Sequence, residues 1–395
     1  MCVAVKGNSK ESIVIANWSS CNENRAWCTI ALLIAIRIDA LRYCTEVDDI
    51  NQGEVKMLFN HVAIEAVAHE DAPNIVSSAY LEKQIAETIA RLSIKDGKLE
   101  NAAGIRERRF YDVDEMPSEI ATRAARKVIE KAQIDPQEIG CLINSSVTKD
   151  YIEPSVACLV HGNLGLSANC INFDITNACL GFLNGMSTIG TMIEMGHIRY
   201  GLVVSGENPH AGIEATIKRL QSPEVTLPFF HENFASLTLG CGGVAMLLSR
   251  LEDSHTGHAL KGYVNLAATQ HNRLCIAQAD WMKTDSRTLL SAGAELVMRT
   301  WLLATRTLEG WAAHEVDLII PHQVSKKQIE TAAQAMGLDL QKVYLILDRY
   351  GNMASAALPA ALSMAVDEGR LQSGHHAALI GIGSGINCSM MSVRW

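Results

Sequence analysis

No basic cluster in this sequence outweighs its acidic background, and this lack excludes one class of partner. The 395 residues carry 34 Lys and Arg against 43 Asp and Glu, which gives a formal net charge of -9 at pH 7. Contact with nucleic-acid phosphates requires a concentrated positive surface. We therefore expect no nucleic-acid partner, and anionic substrates must be met by a few local residues.

Metal-type cysteine spacing, a secretory leader and a long apolar run are also missing. The 11 cysteines include no C-x-x-C pair and no grouping with histidine. We therefore predict reduced thiols in the cytoplasm and no structural metal. The longest apolar run near the N-terminus, residues 30–36, is followed by Arg37 and Asp39 and is too short to span a bilayer, so no membrane span is expected.

Apolar residues, in contrast, are abundant. The sequence is 48% hydrophobic and 19% charged, which at this length allows a large core in two domains or two halves. Residues 1–56 differ in composition, and only the stretch 29–44 has the period of a short amphipathic helix. We interpret residues 1–56 as a non-catalytic N-terminal extension, either a dispensable tail or the result of a translation start assigned upstream of Met57.

From Met57 onward, helix and strand patterns alternate. Apolar residues at helical spacing predict helices at 78–92, 115–132, 155–164 and 179–196, and short β-branched runs predict strands at 139–147, 171–175 and 200–205. Runs that are apolar throughout, such as YGLVVS and HAALIGI, require burial on both faces of a sheet. The predicted fold class is therefore a layered α/β protein.

One cysteine lies where a predicted strand gives way to a helix. Residues 174–183 read DITNACLGFL, so Cys179 follows the turn-forming Thr176 and Asn177 and opens the helix. A helix start offers unpaired backbone N–H groups and the positive end of the helix dipole, which favour a thiolate and can bind an oxyanion. Taken alone, Cys179 fits equally well as a small core residue, since free cysteine is often buried.

An internal repeat gives this cysteine two partners. The unit of apolar strand, turn, special residue, small-residue helix, glycine and apolar strand occurs at 171–207 and again at 343–383. Cys179 lies 17 positions before Gly196, and Asn352 lies 17 positions before Gly369 (196−179 and 369−352). A duplicated unit predicts a pseudo-twofold axis with the two helices packed together. Cys179 and Asn352 would then open facing helices.

The strand before the second copy, VDLIIPHQV, ends in a histidine, His322, which the same axis brings to the cleft. Cysteine is then the nucleophile, histidine the acid/base or oxyanion donor, and the Asn352 amide a neutral donor to His322 or to a carbonyl oxygen. Each residue has an ordinary structural explanation on its own, such as a strand end for His322 or a left-handed turn for Asn352. Their predicted convergence favours catalysis.

At this point the sequence resembles a known family. It is similar to the thiolase-fold condensing enzymes of the ketoacyl synthase III type, and within them to the acyl-CoA condensing enzymes that begin bacterial long-chain olefin synthesis. The resemblance covers nearly all of the chain after residue 56. The matching stretches are GIRERR (104–109), DYIEPS (150–155), TNACLGFLNGM (176–186), LTLGCGGVAM (237–246), HQVS (322–325), YGNMASAALP (350–359) and GIGSGINCSM (381–390).

The resemblance implies a five-layered αβαβα fold of two duplicated halves, here 57–250 and 251–395, and a homodimer whose interface follows a strand beside the nucleophile helix. A typical ketoacyl synthase III has HQAN where this chain has Val324 and Ser325, which favours the olefin-type activity. That activity is a non-decarboxylative Claisen condensation of two fatty acyl-CoA molecules to a β-ketoacid, with downstream olefin-pathway enzymes as possible partners. No cofactor is implied, since the coenzyme A thioesters are substrates.

The resemblance also implies roles for named residues. Cys179 would carry the acyl group, with an oxyanion hole formed by its own N–H and that of Gly383 or Ser384. Glu153 would be the base that removes the α-proton, donated across the dimer interface, with a pKa raised by burial in an acyl channel. A helix-start residue favoured by the helix dipole is the alternative explanation for Glu153.

Two further regions are assigned to substrate binding. The segment 207–240 is interpreted as an inserted cap over an acyl pocket, with a surface helical hairpin as the alternative. Three arginines, Arg106, Arg108 and Arg109, form the most concentrated positive charge in the body of the chain and are predicted to bind coenzyme A phosphates. The resemblance favours Arg106, and solvated surface charge or dimer salt bridges are the alternative for the other two.

Other functions stay open at this point. A ketoacyl synthase III that uses malonyl-acyl carrier protein needs no strong base and would tolerate Glu153→Gln. A Cys-His-Asn hydrolase is a third possibility, although the papain-type C-G-x-C-W context is missing and the duplicated halves oppose it. A non-catalytic scaffold would leave the three polar residues unexplained. The glycine-rich loop at 381–385 is followed by a strand and the chain end, so it is not a dinucleotide fingerprint.

Overall fold

The computed structural model describes residues 56–395. The predicted N-terminal extension, with its helix at 29–44, lies outside the described residues. The strands are β1 Lys56–Leu58, β2 Val62–Asp71, β3 Asn74–Ser77, β4 Glu107–Phe110, β5 Ile139–Asn144, β6 Ile171–Asp174, β7 Tyr200–Glu207, β8 Gly242–Arg250, β9 Ala259–Ala267, β10 Cys275–Ala277, β11 Met282–Thr284, β12 Leu318–Pro321, β13 His376–Gly383 and β14 Asn387–Arg394.

The α-helices of the same region alternate with these strands over most of the chain. They are α1 Ser78–Gln84, α2 Ala86–Arg91, α3 Lys98–Ala103, α4 Pro117–Ala132, α5 Val156–Leu164, α6 Gly181–Glu194, α7 His210–Leu220, α8 Leu227–Asn233, α9 Ser286–Thr307, α10 Lys326–Ala335, α11 Leu347–Tyr350 and α12 Ala357–Asp367. The helix predicted at 78–92 is thus divided at Ile85, and the helix predicted from Cys179 begins at Gly181. No helix in this part of the chain is long and apolar enough to cross a membrane.

One large sheet joins the two halves of the chain. Its ten strands run in the order β12-β13-β14-β9-β2-β8-β7-β5-β6, with β1 paired to β9. Strand β5 is parallel to both β6 and β7, and β12 is parallel to β13, whereas the remaining neighbours are antiparallel. The sheet is therefore mixed, with its parallel strands at the two outer ends.

The strand order repeats. The strands of the first half lie in the order β6-β5-β7-β8-β2. Those of the second half lie in the order β12-β13-β14-β9, which matches β5-β7-β8-β2 and lacks a counterpart of β6. The missing outer strand of the second half is the predicted strand at 343–347. It survives only as a bridge between Ile319 and Val343. The prediction of a full strand there is wrong, because the Gln323 side chain accepts hydrogen bonds from the backbone N–H groups of Ile346 and Leu347 at 2.8 and 3.0 Å.

The two five-stranded halves of this sheet, joined between β2 and β9 by the single pair Ala63 and Ala259, and three layers of helices confirm the predicted αβαβα fold class. Helices α6 and α12 share the central apolar core with strands from both halves. Helices α4 and α5 cover β2, β5, β7 and β8 on one outer side, and α9 and α10 cover the strands of the second half on the other. The central helices end at Gly196 and Gly369, which both have left-handed backbone angles (φ of 73° and 68°), so the repeat extends to their termination.

Candidate active site

The nucleophile turn lies between β6 and α6. Ala178, directly before Cys179, has a φ of 47°, a left-handed conformation that costs a residue with a Cβ atom about 1 kcal/mol. The turn is held by the N–H of Leu180, which donates to Asn177 O at 3.0 Å. The Asn177 side chain in turn donates to Asn184 of α6 at 2.8 Å. This strained, anchored turn fixes the direction of the Cys179 side chain.

The glycine-rich loop at the end of β13 packs against this turn. A Cβ atom on Gly381 would lie 2.6 Å from the side chains of Leu180 and Leu183, and one on Gly383 would lie 3.0 Å from Asn177 O. Any larger residue would push β13 away from the cysteine. The glycines of 381–385 therefore serve close approach of two backbones, which agrees with the rejection of a dinucleotide site.

Asn352 lies on the corresponding turn of the second half. Gly351 before it is left-handed (φ 66°), as Ala178 is before Cys179. The backbone of Asn352 pairs with the end of the cap segment: its N–H donates to Thr238 O at 2.9 Å, and its carbonyl accepts from Gly240 N at 3.0 Å. Asn352 Oδ1 accepts from the N–H of Ala354 at 3.0 Å, so the side chain presents its NH2 group as donor.

His322 follows the last residue of β12, as predicted, and is buried. Its backbone N–H donates to Ile380 O at 2.7 Å, while the ring Nδ1 has no hydrogen-bond partner among the described residues. Burial lowers the pKa of His322 to about 4. The imidazole is therefore neutral at ordinary pH and can accept one proton.

One cavity of about 820 Å³ contains all of these groups. Cys179, His322 and Asn352 line it together, and so do Gly383 and Ser384, the predicted oxyanion residues. The convergence expected from the sequence repeat is thus present in the tertiary structure. A thiol, an imidazole, an amide donor and backbone N–H groups are the kinds of group that acyl transfer from a thioester uses.

The Cys179 side chain is a protonated thiol at neutral pH. Burial raises its pKa to about 12, and the negative charge of Glu207 adds to the shift. The helix-start effect expected from sequence is therefore outweighed by desolvation. Cys179 is then protonated and His322 neutral before any substrate binds, so a thiolate forms only when a base takes the thiol proton.

The cavity wall changes from charged to apolar. Its cationic lining residues, called here the cavity mouth, are Lys98, Arg273, Lys283 and Arg287, and the carboxylates of Glu232 and Asp285 line it too. Its buried apolar lining, called the inner end, includes Ile319, Ala333 and Leu338. Sequence reasoning missed the mouth cations because they are scattered over 190 positions. A charge-rich, apolar-ended cavity suits a long chain with an anionic head group.

The cap segment is divided between two roles. Helix α8 and the following turn contribute Pro228, His231, Phe234 and Thr238 to the cavity wall. Helix α7 instead packs its apolar residues against the cluster that contains α1 and α2.

The arginine cluster does not line the cavity. Arg108 is completely buried and donates to Ser78 Oγ at 3.0 Å and to Leu237 O at 2.9 Å. Arg109 lies over the Tyr350 ring and 3.9 Å from Asp71, and exposed Arg106 lies 3.5 Å from Glu107. The assignment of Arg108 to coenzyme A is wrong, because its guanidinium is enclosed by protein and used internally.

Glu153 is exposed and does not line the cavity of its own chain. The predicted burial in an acyl channel is therefore not met within one chain. Beside it, Tyr151 and Ile152 are also exposed, and Ile171 is exposed on the edge strand β6. Within residues 56–395, no group of three or more His, Cys, Asp or Glu residues is arranged to hold a metal ion.

Comparison with known proteins gives consistent relatives. Sequence profiles of the 3-oxoacyl-[acyl-carrier-protein] synthase III family and of its C-terminal part match residues 173–261 and 307–395. The chain is 44% identical over 339 residues to the acyl-CoA:acyl-CoA alkyltransferase of Xanthomonas campestris pv. campestris, covering 86% of this chain and 100% of the relative. It is 29% identical to the beta-ketoacyl-[acyl-carrier-protein] synthase III of Clostridioides difficile, covering 77% and 91%.

Solved structures agree with these relatives. A crystal structure of Xanthomonas campestris OleA with cerulenin bound matches with a TM-score of 0.84 at 44% identity, covering 86% of this chain and 98% of that one. Another, with bound lauric acid and lauroyl-CoA, matches with a TM-score of 0.84 at 43% identity, covering 86% and 100%.

Proposed function

The chain belongs to the acyl-CoA:acyl-CoA alkyltransferase family of thiolase-like condensing enzymes, and from this membership we propose that it joins two fatty acyl-CoA molecules head to head without decarboxylation. The product is a 2-alkyl-3-oxoalkanoate, released as its β-ketoacyl thioester or after hydrolysis. The observation that carries the proposal is the single cavity that holds Cys179, His322 and Asn352 between a cationic mouth and an apolar inner end.

In the first half of the reaction, Cys179 sulfur attacks the thioester carbonyl while His322 takes the thiol proton. The N–H groups of Cys179 and of Gly383 or Ser384 stabilise the oxyanion. Collapse of the tetrahedral intermediate breaks the bond to the coenzyme A sulfur, which leaves with the proton returned by His322. An acyl group on Cys179 and free coenzyme A remain.

In the second half, an α-proton of the second acyl-CoA is removed and the resulting enolate attacks the acyl-enzyme carbonyl. The new carbon–carbon bond replaces the bond to Cys179, whose sulfur is released and regains a proton. The donor groups of His322 and Asn352 hold the second thioester carbonyl, where the enolate charge develops.

We assign the base to Glu153 of a partner subunit in a homodimer. Glu153 is exposed in its own chain, and the side chains around it, Tyr151, Ile152 and Ile171, are apolar and uncovered. Strand β6 also ends the sheet, and none of residues 56–395 pairs with its outer edge. A second copy docked there would cover these side chains and would give Glu153 the apolar surroundings that make a carboxylate a stronger base.

The mouth cations replace the arginine cluster as the candidates for the coenzyme A phosphates. Lys283 and Arg287 are exposed and flank the entrance, and Arg273 precedes them on the adjacent turn. A partly compensating carboxylate, Glu232, lies 3.2 Å from Lys283. Arginine pairs well with phosphate, so Arg287 and Arg273 are the first candidates.

The cellular setting is also part of the proposal. The cysteines of the described residues form no disulfides, which is typical of a reducing compartment, so we propose a cytoplasmic enzyme. Enzymes that consume a β-ketoacid, as in olefin synthesis, are the proposed partners. We propose residues 57–250 and 251–395 as the two catalytic halves and residues 1–56 as non-catalytic.

The test is incubation of the purified protein with myristoyl-CoA alone, followed by mass spectrometry of protein and products. We expect an acyl adduct on Cys179 and a long-chain ketone from decarboxylation of the β-ketoacid, and neither with Cys179→Ser. A carbon–carbon product formed only when malonyl-acyl carrier protein is added would favour ketoacyl synthase III activity, to which the family profiles also point. Free fatty acid alone would favour a hydrolase.

A further inference from the structure

A second carboxyl group, unused by the proposed chemistry, is buried behind the active-site cavity. Glu207 is the last residue of β7 and is only 1% exposed. Its Oε1 accepts from the backbone N–H of Val147 at 2.9 Å and of Ser355 at 3.3 Å. Its Oε2 accepts from the N–H of Thr148 at 3.0 Å and from the hydroxyl of Thr148 at 3.0 Å. Four donors from outside β7 thus converge on one carboxyl group, and the Ser205 hydroxyl within β7 donates to Oε1 as well, at 3.4 Å.

These donors belong to two segments that carry proposed site residues. Ser355 lies three positions after Asn352, and Val147 and Thr148 begin the segment that leads to Glu153. The Ser355 hydroxyl also donates to Ser145 Oγ at 2.9 Å.

The nucleophile side is in contact with the same group of residues. The Ser145 carbonyl oxygen lies 3.0 Å from the position of a Cβ atom on Gly181, the first residue of α6. Glu207 therefore connects the Asn352 turn to the start of the nucleophile helix through residues 145–148.

Only the ionised form of Glu207 can accept all four hydrogen bonds. Protonation adds a donor to an oxygen that already faces donors, so at least one bond must break or, at the Thr148 hydroxyl, which can donate to Gly206 O instead, reverse its direction. Burial raises the pKa of Glu207 to about 7, although these hydrogen bonds lower it. The titratable groups on neighbouring elements whose pKa its charge raises are the thiols of Cys179 and Cys241.

We propose that Glu207 is a positioning residue that, when ionised, holds the Asn352 turn and the 147–148 segment in register with Cys179. The inference rests on the proposed function for its turnover readout. Acylation of Cys179 by a single acyl-CoA gives a second readout that needs no condensation. Activity of the wild-type chain is expected to rise as pH passes through about 7 and the four hydrogen bonds form.

The experiment measures kcat and KM for myristoyl-CoA, and the rate of Cys179 acylation by intact mass, from pH 5.5 to 9. In Glu207→Gln we expect kcat at pH 8 to fall about tenfold or more with KM nearly unchanged, and the rise near pH 7 to disappear. The matched control is Glu65→Gln, since Glu65 is also buried but binds Ser249, Ser254 and His255 instead. Its pH profile should equal that of the wild-type chain.

A second variant decides the matter if Glu207→Gln does not fold. Thr148→Val keeps the carboxylate but removes one hydroxyl donor, so the rise in activity should move to higher pH by about half a unit or more. An unchanged rise in either variant would overturn the inference. If the wild-type chain forms no carbon–carbon product, the proposed condensation fails, and the acylation profile still tests Glu207.

Discussion

At the scale of single residues, burial decides the protonation of the reactive pair. Desolvation raises the pKa of Cys179 and lowers that of His322, so both groups are neutral before substrate binds. A neutral pair costs less to bury than a thiolate–imidazolium pair, and the proton moves only when an oxyanion develops. The proposed attack therefore depends on the positioned base.

His322 should make stability depend on pH. Its folded-state pKa is lowered from 6.5 to about 4, so its contribution is complete above pH 6.5 and is lost as pH falls through 4. This loss amounts to at most about 3 kcal/mol. The free energy of unfolding, measured with urea, should therefore fall more between pH 7.5 and pH 4.5 for the wild-type chain than for His322→Asn. Equal losses in the two proteins would contradict the buried neutral histidine.

The buried and exposed cations should respond differently to removal. Arg108→Met loses hydrogen bonds to Ser78 and Leu237 and should lower the free energy of unfolding by about 2–4 kcal/mol. Arg287→Met at the cavity mouth should leave stability within about 0.5 kcal/mol and raise KM for acyl-CoA several-fold.

Thermal unfolding and steady-state kinetics on both proteins distinguish the two roles. Arg106→Met, exposed and away from the cavity, is the control and should change neither quantity. A raised KM in Arg106→Met with normal KM in Arg287→Met would return the coenzyme A site to the arginine cluster.

At the scale of elements, one helix runs along the cavity from mouth to inner end. Helix α9 contributes Arg287, Leu290, Gly293, Ala294 and Val297 to the wall. From the first to the last of these, the helix rises about 15 Å. Its lining changes from charged to apolar over that length, so α9 provides one side of a channel that suits an extended acyl chain.

Gly293 keeps the middle of this channel open. Glycine inside a long helix costs about 1 kcal/mol relative to alanine, so its presence indicates a packing requirement. A Cβ atom there would meet only the Ile382 side chain, at 3.3 Å, and would otherwise point into open space. Ile382 directly precedes Gly383, so this narrow point lies beside the predicted oxyanion loop.

Gly293→Leu should therefore shorten the acyl chains that the enzyme accepts. We expect kcat/KM for myristoyl-CoA to fall about tenfold or more while that for octanoyl-CoA falls less, since the leucine side chain narrows the middle of the channel and closes the part beyond it. The matched control is Gly293→Ala, which adds a single methyl group. The measurement is a competition assay with product analysis by mass spectrometry. An unchanged chain-length profile in Gly293→Leu would contradict the role of α9.

At the scale of the whole molecule, the duplicated halves leave one end of the sheet uncovered. Strand β6 has β5 on one side and no neighbour among the described residues on the other. The segment with the exposed Tyr151 and Ile152 contacts Asp174 of β6 through Lys149 and Val156, and Ile171 is exposed on β6 itself. The proposed dimer covers this edge, and each cavity then depends on the other chain for its base.

Mixed dimers test this dependence directly. Cys179→Ala and Glu153→Gln should each be inactive in condensation when purified alone. After the two are mixed and exchanged, a heterodimer has one complete site, Cys179 from one chain and Glu153 from the other, so activity should recover to about a quarter of wild type. No recovery, with exchange verified by mass, would mean that Glu153 acts within its own chain or not at all.

Much of the site was predictable from sequence because the chain repeats itself. The spacing of Cys179 and Asn352 before their glycines indicated equivalent turns, and the structure adds a positive φ directly before each, 47° at Ala178 and 66° at Gly351. Prediction was less successful where side chains compete with the regular pattern. The apolar run at 343–347 has strand composition, but the backbone N–H groups of Ile346 and Leu347 donate to the Gln323 side-chain oxygen instead of to a neighbouring strand.

The sequence by itself determined the layered α/β fold and the three reactive residues, because apolar periodicity and a repeated spacing depend on near neighbours along the chain. Only the tertiary structure decided which charges are usable. Arg108 became internal, the distant Lys283 and Arg287 met Lys98 at the cavity mouth, and Glu207 acquired its four donors. The physical reason is that burial and hydrogen bonding of charged groups arise from contacts between residues far apart in the chain, which no local pattern records.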